Sequence, residues 1–323
     1  MRRILLVSLL SLILLMSLGA VGFVLNRQKV NSKNKDTENT QQNDSSQQEM
    51  SETQKSKPME FTFGGRELMP KHRFVALYGN PNFKALGSLG EQGLTESVSR
   101  IKQLAAEYQP HSEEEIIPVF EIIATIASAD VTENNDYSQE LSIETIKPWI
   151  ELAEQEGVYV VLDLQPGRST FNEQIKQYEE LLKHPNVGIA LDPEWRLLTP
   201  EARHLKKIGS VSAEEINRTS MWLAELVKKH DLPPKIFMIH QFKQSMITNR
   251  ETLDTSREEL AYVIHMDGHG ELGSKIGSWK VVKESLPQNI YLGWKNFLDE
   301  DKPTPTPEQT MSQDPKPWFI SFQ

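Results

Sequence analysis

The hydrophobic pattern of the chain begins with one long apolar run close to the N-terminus. The run extends from Ile4 to Leu25 without a charged residue, and it follows Arg2 and Arg3. A helix of this length covers roughly 30 Å, which is the thickness of a bilayer core. Basic residues in front of such a run favour a cytoplasmic N-terminus. We therefore predict a single membrane anchor over residues 1–25, with secretion after cleavage of a signal peptide as the alternative.

The next segment, residues 26–58, consists mainly of Asn, Gln, Ser, Lys, Asp, Glu and Thr. Such a composition cannot bury enough apolar surface to offset the entropy lost on ordering. We predict a disordered linker here, so that residues 59–323 form the folded, extracytoplasmic domain. About 265 residues without a second linker are an ordinary length for one barrel domain.

Short apolar stretches rich in Val, Ile and Leu recur along residues 59–323 at the length of strands. The stretches are 73–80, 116–126, 158–164, 186–191, 235–240, 260–266, 290–294 and 316–322. Helical signals separate several of them: an amphipathic pattern over 95–108, a helix over 142–156 ending at Gly157, and the capping boxes of Thr170 with Glu173 and Ser212 with Glu215.

This alternation of strands and helices decides the predicted fold class. Strands that alternate with helices form a parallel sheet, and at this length the leading arrangement is an α/β fold, a (β/α)8 TIM-like barrel with an irregular last unit. A doubly wound open sheet is the alternative, although no GxGxxG motif follows the first strand.

Polar side chains follow almost every predicted strand at its carboxyl end. In a barrel these ends converge on one face, where the active sites of this fold lie, so we expect one site there. Two late tryptophans are included because an indole can stack on the face of a sugar ring. The predicted substrate-binding residues are Tyr78, Asn80, Glu121, Gln165, Trp195, His240, Gln241, His269, Trp294, Lys295 and Trp318.

The segment 192–195 (DPEW) carries two carboxylates beside an aromatic residue. Because side chains alternate along a strand, Asp192 and Glu194 are predicted to point the same way. Acid catalysis on sugars uses such pairs, with one carboxylate ionised and its neighbour protonated. We assign Glu194 as general acid and Asp192 as the group that tunes it. Asp267 or Asp163 would stabilise the transition state or attack it.

A metal centre is the alternative use of the same strand ends, with His240, Asp267 and His269, together with Glu121 or Asp163, as ligands of an ion such as zinc. His265, two residues before Asp267, is either a further ligand or a hydrogen-bonded core residue. Otherwise we expect no metal and no cofactor. The chain has no cysteine for a thiolate site, no Walker loop and no GxSxG motif. Three basic residues beside loops are expected on the solvated surface: Lys275, Arg168 and Lys243.

The acidic pair that closes the fourth predicted strand resembles the end of the chitinase-type (family 18) glycoside hydrolase signature. The resemblance implies that Glu194 is the general acid and that Asp192 assists it, with counterparts for Asp267 and Trp318. The run before the pair, GIAL, lacks the upstream acidic and glycine residues of that signature, and Pro193 stands between the carboxylates. The chain also resembles uncharacterised exported bacterial proteins that carry the same DPEW and GWKxF-type segments.

These patterns together predict a cell-surface glycoside hydrolase-like protein that cleaves an envelope or extracellular glycan. A metal-dependent hydrolase or isomerase, and a non-catalytic barrel that binds a glycan or a protein, are the alternatives. The net charge of −10 argues against nucleic acid, because nucleic-acid-binding proteins are normally basic. The expected partners are therefore a polysaccharide or cell-wall glycan and, through the N-terminal segment, the cell membrane.

Overall fold

The computed structural model describes residues 58–204 and 206–323. The predicted anchor over residues 1–25 and, apart from Pro58, the predicted linker over 26–58 lie outside these residues. Within the described ranges, no helix is both long enough and apolar enough to cross a membrane.

Eleven strands are found in the described ranges, and eight of them form the barrel. The barrel strands are β1 (His72–Gly79), β2 (Glu115–Ala127), β4 (Tyr159–Leu164), β5 (Val187–Leu191), β7 (Lys235–Gln241), β9 (Leu260–Met266), β10 (Ile290–Asn296) and β11 (Phe319–Phe322). The remaining three are short: β3 (Ser138–Glu140), β6 (Val211–Ser212) and β8 (Ile247–Thr248). Each of the eight predicted stretches overlaps one barrel strand.

Each barrel strand pairs in parallel with the next barrel strand along the chain. The last strand, β11, returns to β1, where Phe74 pairs with Phe319 and Leu77 with Phe322, so the sheet is closed. Strand β3 is antiparallel and lies against β2. The predicted parallel (β/α)8 TIM-like barrel is therefore confirmed. The alternative of an open doubly wound sheet is wrong, because such a sheet has two unpaired edge strands whereas β1 and β11 pair with each other.

Six α-helices surround the barrel in the described part of the chain: α1 (Leu94–Tyr108), α2 (Ile143–Glu156), α3 (Phe171–Gln177), α4 (Ala213–Lys229), α5 (Leu272–Lys283) and α6 (Pro307–Met311). The last unit is irregular as predicted, since α6 has only five residues. The connection from β7 to β9 is irregular as well, with two short 3₁₀ turns in place of an α-helix.

The helix caps agree with the sequence in one case and differ in the other. Thr170 and Glu173 form the complete predicted capping box. Ser212 accepts a hydrogen bond from the Glu215 backbone, which is half of a capping box. The Glu215 carboxylate instead accepts hydrogen bonds from Arg196 and from the backbone of Phe171, so that half of the prediction is wrong.

The barrel interior is mainly apolar, and its buried carboxyl groups lie at the carboxyl ends of the strands. Alternate positions of the strands point inward, including Phe74, Tyr159 and Ile236, and they form one buried apolar cluster. Phe61 and Leu68, from the segment before β1, close this cluster at the amino end. The other set of alternate positions packs against the helices in a second, larger core. His72 is a buried polar side chain at the amino end, where it packs on Phe63. The buried inward carboxyl groups lie at the carboxyl end of the barrel, called here the mouth.

Candidate active site

A histidine on β7, His240, lies at the centre of the mouth and is completely buried. Its Nδ1 is 3.0 Å from Asp267 Oδ2, and its Nε2 is 3.0 Å from Glu121 Oε1. Asp163 Oδ1 lies 3.7 Å from Nε2. Burial alone would lower the pKa of His240, but the surrounding carboxylates outweigh it and raise the pKa well above its ordinary value. His240 is therefore an imidazolium held between carboxylates.

The second cation of the mouth is Lys295 on β10. Its Nζ lies 3.2 Å from one carboxylate oxygen of Asp267 and 3.4 Å from the other, and 3.6 Å from the centroid of the Tyr78 ring. Burial would lower the pKa of Lys295, yet Asp267 and the other carboxylates raise it. Burial would likewise raise the pKa of Asp267, but Lys295 and His240 hold it below its ordinary value. Asp267 is therefore ionised.

Asp163 on β4 is buried, with the His240 imidazolium 3.7 Å from its Oδ1 and a neutral hydrogen-bond donor at its other oxygen. Tyr78 Oη donates a hydrogen bond to Asp163 Oδ2 at 2.9 Å, and Gln165 Nε2 lies 3.4 Å from the same hydroxyl. Asp163 Oδ1 has no hydrogen-bond partner among the described residues. Burial raises the pKa of Asp163 to about 6, although the charge of His240 opposes the shift.

Asp192 and Glu194 lie beyond the end of β5, not within it. The strand ends at Leu191, and Pro193–Trp195 form a 3₁₀ turn that Asp192 caps, its Oδ1 accepting from the Glu194 N–H at 3.2 Å. The prediction that the two residues alternate along a strand is therefore wrong, because Pro193 cannot donate a ladder hydrogen bond.

The turn nevertheless brings both carboxyl groups to the mouth. Burial, followed by the charge of Asp267, raises the pKa of Glu194 to about 7. Burial also raises the pKa of Asp192 well above its ordinary value, against the charge of His240. Glu194 is half-buried and Asp192 is buried, so Glu194 is the more accessible of the two.

The turn that carries Glu194 is held from outside by Gly209. The Gly209 N–H donates to the Glu194 carbonyl at 2.7 Å. A Cβ atom at Gly209 would lie 2.5 Å from the carbonyl oxygens of Pro193, Glu194 and Arg196, so only glycine fits there. Arg196, the next residue after the turn, forms a buried ion pair with Glu215, at 3.1 Å.

The two tryptophans predicted to bind sugar lie away from the mouth. Trp294 is completely buried on the outer face of β10, where it packs against Trp279, because its neighbour Lys295 points inward. Trp318 lies at the amino end of β11, with the Arg73 guanidinium 3.9 Å from its ring centroid. It precedes its strand and so lies at the opposite end of the barrel. Both predictions of a sugar platform are wrong.

The other predicted binding residues differ in where they lie. Asn80 is buried and donates to the Ile123 carbonyl, a contact within the scaffold. The Gln241 amide donates to the Lys243 carbonyl, while its Oε1 has no partner in the described ranges. Trp195 is half-buried and packs edge-on against His204, with ring centroids 5.4 Å apart. Tyr78, Glu121, Gln165, His240 and Lys295 belong to the mouth.

The three alternative metal ligands are not all brought together, because His240 and Asp267 are in contact but His269 lies apart from them. His269 is exposed on the loop after β9 and packs edge-on against Phe297, while both ring nitrogens of His240 face carboxylates. Among residues 58–204 and 206–323, no group of three histidine or acidic side chains is arranged to hold a metal ion.

Two features lie outside the predicted set of catalytic and substrate-binding residues. His265 lies beside His240, with ring centroids 5.1 Å apart, and its Nε2 is 2.7 Å from Ser321 Oγ. The spacing signal was present, because His265 lies two residues before Asp267 and therefore on the same face of β9.

The other feature outside that set is a buried ion pair behind the mouth. Lys275 Nζ lies 2.8 Å from Asp301 Oδ2, with both side chains inaccessible, and donates to the carbonyls of Gly268 and Lys295. The prediction that Lys275 is solvated is wrong, because the loop after β10 folds over it. Local sequence carries no signal for such a long-range contact.

Comparison with known proteins identifies no family for this chain and gives a weak likeness to a solved structure. No protein-family model matches the chain, and no curated protein matches it. Among solved structures it is similar to the dihydropteroate synthase of Xanthomonas albilineans, solved with 4-aminobenzoic acid. The identity is 10%, the match covers 78% of this chain and 88% of that chain, and the TM-score is 0.29. A likeness at this level carries no argument about function and leaves the family 18 resemblance unconfirmed; the strand pairing by itself establishes a parallel eight-stranded barrel.

Proposed function

We propose that this protein is a glycoside hydrolase that cleaves an envelope or extracellular glycan at the mouth of the barrel. One observation carries the proposal: Asp267 is ion-paired with His240 and Lys295 at 3.0 and 3.2 Å, whereas the half-buried Glu194 carboxyl group forms no ion pair among the described residues. The pKa values of the two groups are accordingly shifted in opposite directions. Opposite shifts of this kind assign the acid and the ionised partner in enzymes that break glycosidic bonds.

Glu194 has the properties of the general acid. With a pKa of about 7, raised by burial and by the charge of Asp267, it holds a proton in a large fraction of molecules at neutral pH. It is also the most accessible of the mouth carboxyl groups, since its side chain is half-buried while Asp192 is 2% exposed and Asp163 is not exposed at all. Asp192 accepts a hydrogen bond from the Glu194 backbone and thereby positions the acid.

Asp267 has the properties of the ionised partner. Lys295 and His240 keep it deprotonated in spite of its burial, and both cations are themselves buried and well anchored. A fixed negative charge at this point stabilises the positive charge that develops on the sugar ring as the bond breaks.

The steps follow from these two roles. Glu194 donates its proton to the glycosidic oxygen, the bond from that oxygen to the anomeric carbon breaks, and the leaving sugar departs with a new hydroxyl group. Asp267 stabilises the positively charged ring that remains. A water molecule then adds to the anomeric carbon and gives one proton to the Glu194 carboxylate, which restores the acid. The balance is one glycosidic bond and one water consumed for two hydroxyl-terminated sugars.

The N-terminal segments supply the location in this proposal. An anchor over residues 1–25 and a linker over 26–58 would hold the barrel outside the membrane, where envelope glycans are within reach. Neither the anchor nor the glycan follows from the barrel itself.

The test is hydrolysis by the full chain, purified in detergent and incubated with isolated envelope polysaccharides. We expect the wild-type protein to release new reducing ends, and Glu194→Gln and Asp267→Asn to slow release by at least about 100-fold, the usual effect of removing a general acid or a fixed charge. Glu201→Gln is the matched control, because it removes an exposed carboxylate from the same loop. The proposal fails if Glu194→Gln keeps wild-type activity. It fails also if the wild-type chain binds the polysaccharides without releasing sugar, which would make the barrel a binding module.

A further inference from the structure

We infer that the mouth binds a sugar that carries a free, positively charged amino group, and that Asp163 and Asp192 are the residues that receive it. The inference rests on the proposed function in taking the ligand to be a glycan. It uses two buried carboxyl groups: Asp163 takes no part in the hydrolytic steps, and Asp192 serves them only by accepting a hydrogen bond from the Glu194 backbone.

The mouth contains more carboxyl groups than cations. Five carboxyl groups face two cations there: Glu121, Asp163, Asp192, Glu194 and Asp267, against His240 and Lys295. The two cations are engaged by hydrogen bonds or close contacts with Glu121 and Asp267. Asp163 Oδ1 lies 3.7 Å from His240 Nε2, beyond hydrogen-bond distance, and Asp192 forms no ion pair with either cation. The hydrogen-bond donors to the two aspartates are a tyrosine hydroxyl and a backbone N–H.

The mouth also contains buried carboxylate oxygens without a hydrogen-bond donor. Asp163 Oδ1 is buried and has no hydrogen-bond donor among the described residues, and the same holds for Glu121 Oε2. Both side chains are inaccessible to solvent. A buried acceptor without a donor is costly, so a ligand that brings N–H groups into the mouth would be bound favourably.

Asp163 lies on one strand and Asp192 directly follows the adjacent strand, and the charge of one affects the ionisation of the other. Asp163 pairs with Ala190 across β4 and β5, so Asp192 follows two residues beyond that pairing on the adjacent strand. Burial raises the pKa of both groups, and the charge of Asp163 is among the causes of the shift at Asp192. A bound cation would favour the ionised form of both.

The basic side chains on the surrounding loops do not supply a cation to Asp163 and Asp192. Arg168 and Arg203 both lie over the Tyr137 ring, 4.5 and 5.0 Å from its centroid, and both donate to the Pro200 carbonyl. Lys243 is exposed, with its Nζ 5.6 Å from the centroid of Phe242.

The chemistry of the ligand follows from the donors that are missing. An ammonium group supplies three N–H donors and a full positive charge. A hydroxyl or an acetamido group supplies one donor and no charge, so it would not favour the ionised forms of Asp163 and Asp192. The amino sugar with a free amine is therefore preferred over its N-acetylated form.

The experiment compares three forms of one polymer: the isolated envelope polysaccharide, the same material after chemical de-N-acetylation, and the de-N-acetylated material after re-N-acetylation. Binding to the full-length Glu194→Gln protein is measured by calorimetry at pH 6. We expect the de-N-acetylated form to bind at least about tenfold more tightly than the other two, the effect of one charge-assisted hydrogen bond. Equal binding, weaker binding, or no binding of any form would overturn the inference.

Two further variants show whether the preference belongs to the aspartates. Asp163→Asn and Asp192→Asn keep the shape of the side chain and remove its charge, and each should reduce the preference to less than about threefold, the loss expected for one charged partner. Glu201→Gln, which removes an exposed charge from the same loop, should keep it. A preference that survives both asparagine variants is non-specific attraction to an acidic protein and overturns the inference.

The outcomes separate this inference from the proposed function. If the amine preference holds in binding but wild-type protein releases no sugar, the inference stands and the hydrolase proposal fails. If wild-type protein hydrolyses the acetylated and de-N-acetylated polymers equally well, the hydrolase proposal stands and the inference fails.

Discussion

Lys295 Nζ lies 3.2 Å from Asp267 Oδ1, and both side chains are buried at the mouth of the barrel. The pair joins two neighbouring strands, because Lys295 belongs to β10 and Asp267 follows β9. Each charge favours the ionised form of the other against burial. The ionisation of Asp267, on which the proposed chemistry depends, is therefore a property of this pair and not of the aspartate alone.

Replacing Lys295 by methionine should leave a buried carboxylate without its strongest cation. We expect the free energy of unfolding to fall by about 3–5 kcal/mol, the usual effect of breaking a buried pair. Activity on the polysaccharide should fall by at least about 100-fold, because Asp267 would take up a proton. Denaturant unfolding and reducing-end release measure the two effects. Lys280→Met, at an exposed position of α5, should change neither.

The pH dependence of activity should follow Glu194. Its pKa of about 7 means that the proton needed by the leaving group is lost as the pH rises through 7. We expect kcat/KM to fall about tenfold for each pH unit above that value, as for any essential acid. Asp267 remains ionised over this pH range, so it causes no further change in kcat/KM near pH 7. A profile that stays flat to pH 9 would contradict the assignment of Glu194.

The same shift makes stability depend on pH. The pKa of Glu194 is about 7 in the folded chain and 4.5 ordinarily, so the folded state keeps a proton that the unfolded chain has released between these values. The contribution of Glu194 to the free energy of unfolding is therefore fully present below pH 4.5, and it is lost as the pH rises through the folded pKa of about 7. Glu194→Gln cannot ionise, and it should be more stable than wild type at pH 8 by about 2 kcal/mol, the two converging at pH 4. Denaturant titrations at both pH values measure the difference.

Gly209 should be sensitive to a single added methyl group. A Cβ atom there would meet three backbone carbonyls of the segment that carries Glu194, so Gly209→Ala should destabilise the protein by about 1–3 kcal/mol and reduce activity by displacing the acid. Gly277→Ala is the matched control, because nothing lies within 4 Å of a Cβ at that position in α5. It should be neutral or stabilising by up to about 1 kcal/mol. Equal behaviour of the two variants would refute the role given to Gly209.

The buried ion pair of Lys275 and Asp301 should contribute to the stability of the fold and not to the hydrolytic reaction. Lys275→Met would leave Asp301 buried with backbone donors only, and we expect a loss of about 3–5 kcal/mol in the free energy of unfolding. Replacing both partners by apolar residues should restore part of that loss, because no charge is then left unpaired. Thermal unfolding of the single and double variants tests this, and a double variant less stable than either single variant would contradict it.

The amino-acid sequence by itself determined the order of strands and helices. The apolar runs of β4, β5 and β7 are buried on both faces of a parallel sheet, and this produces a continuous hydrophobic pattern that is legible without any partner. Helix starts such as Thr170 with Glu173 are equally local, since both hydrogen bonds of a capping box lie within four residues. The carboxyl ends of the strands converge in any closed barrel, so the location of the mouth followed from the fold class.

Only the tertiary structure decided which of the residues at the strand ends reach the mouth. Trp294 and Lys295 are adjacent in sequence, yet one packs outward against Trp279 and the other points at Asp267, and a one-residue error in phase exchanges them. The turn after Leu191 and the cover over Lys275 depend on Gly209 and Asp301, which are distant in sequence from Leu191 or Lys275. The local hydrophobic pattern shows which positions along a strand or helix are buried. The protonation and orientation of the side chains at the mouth depend on residues that are distant in sequence and become neighbours only when the barrel closes.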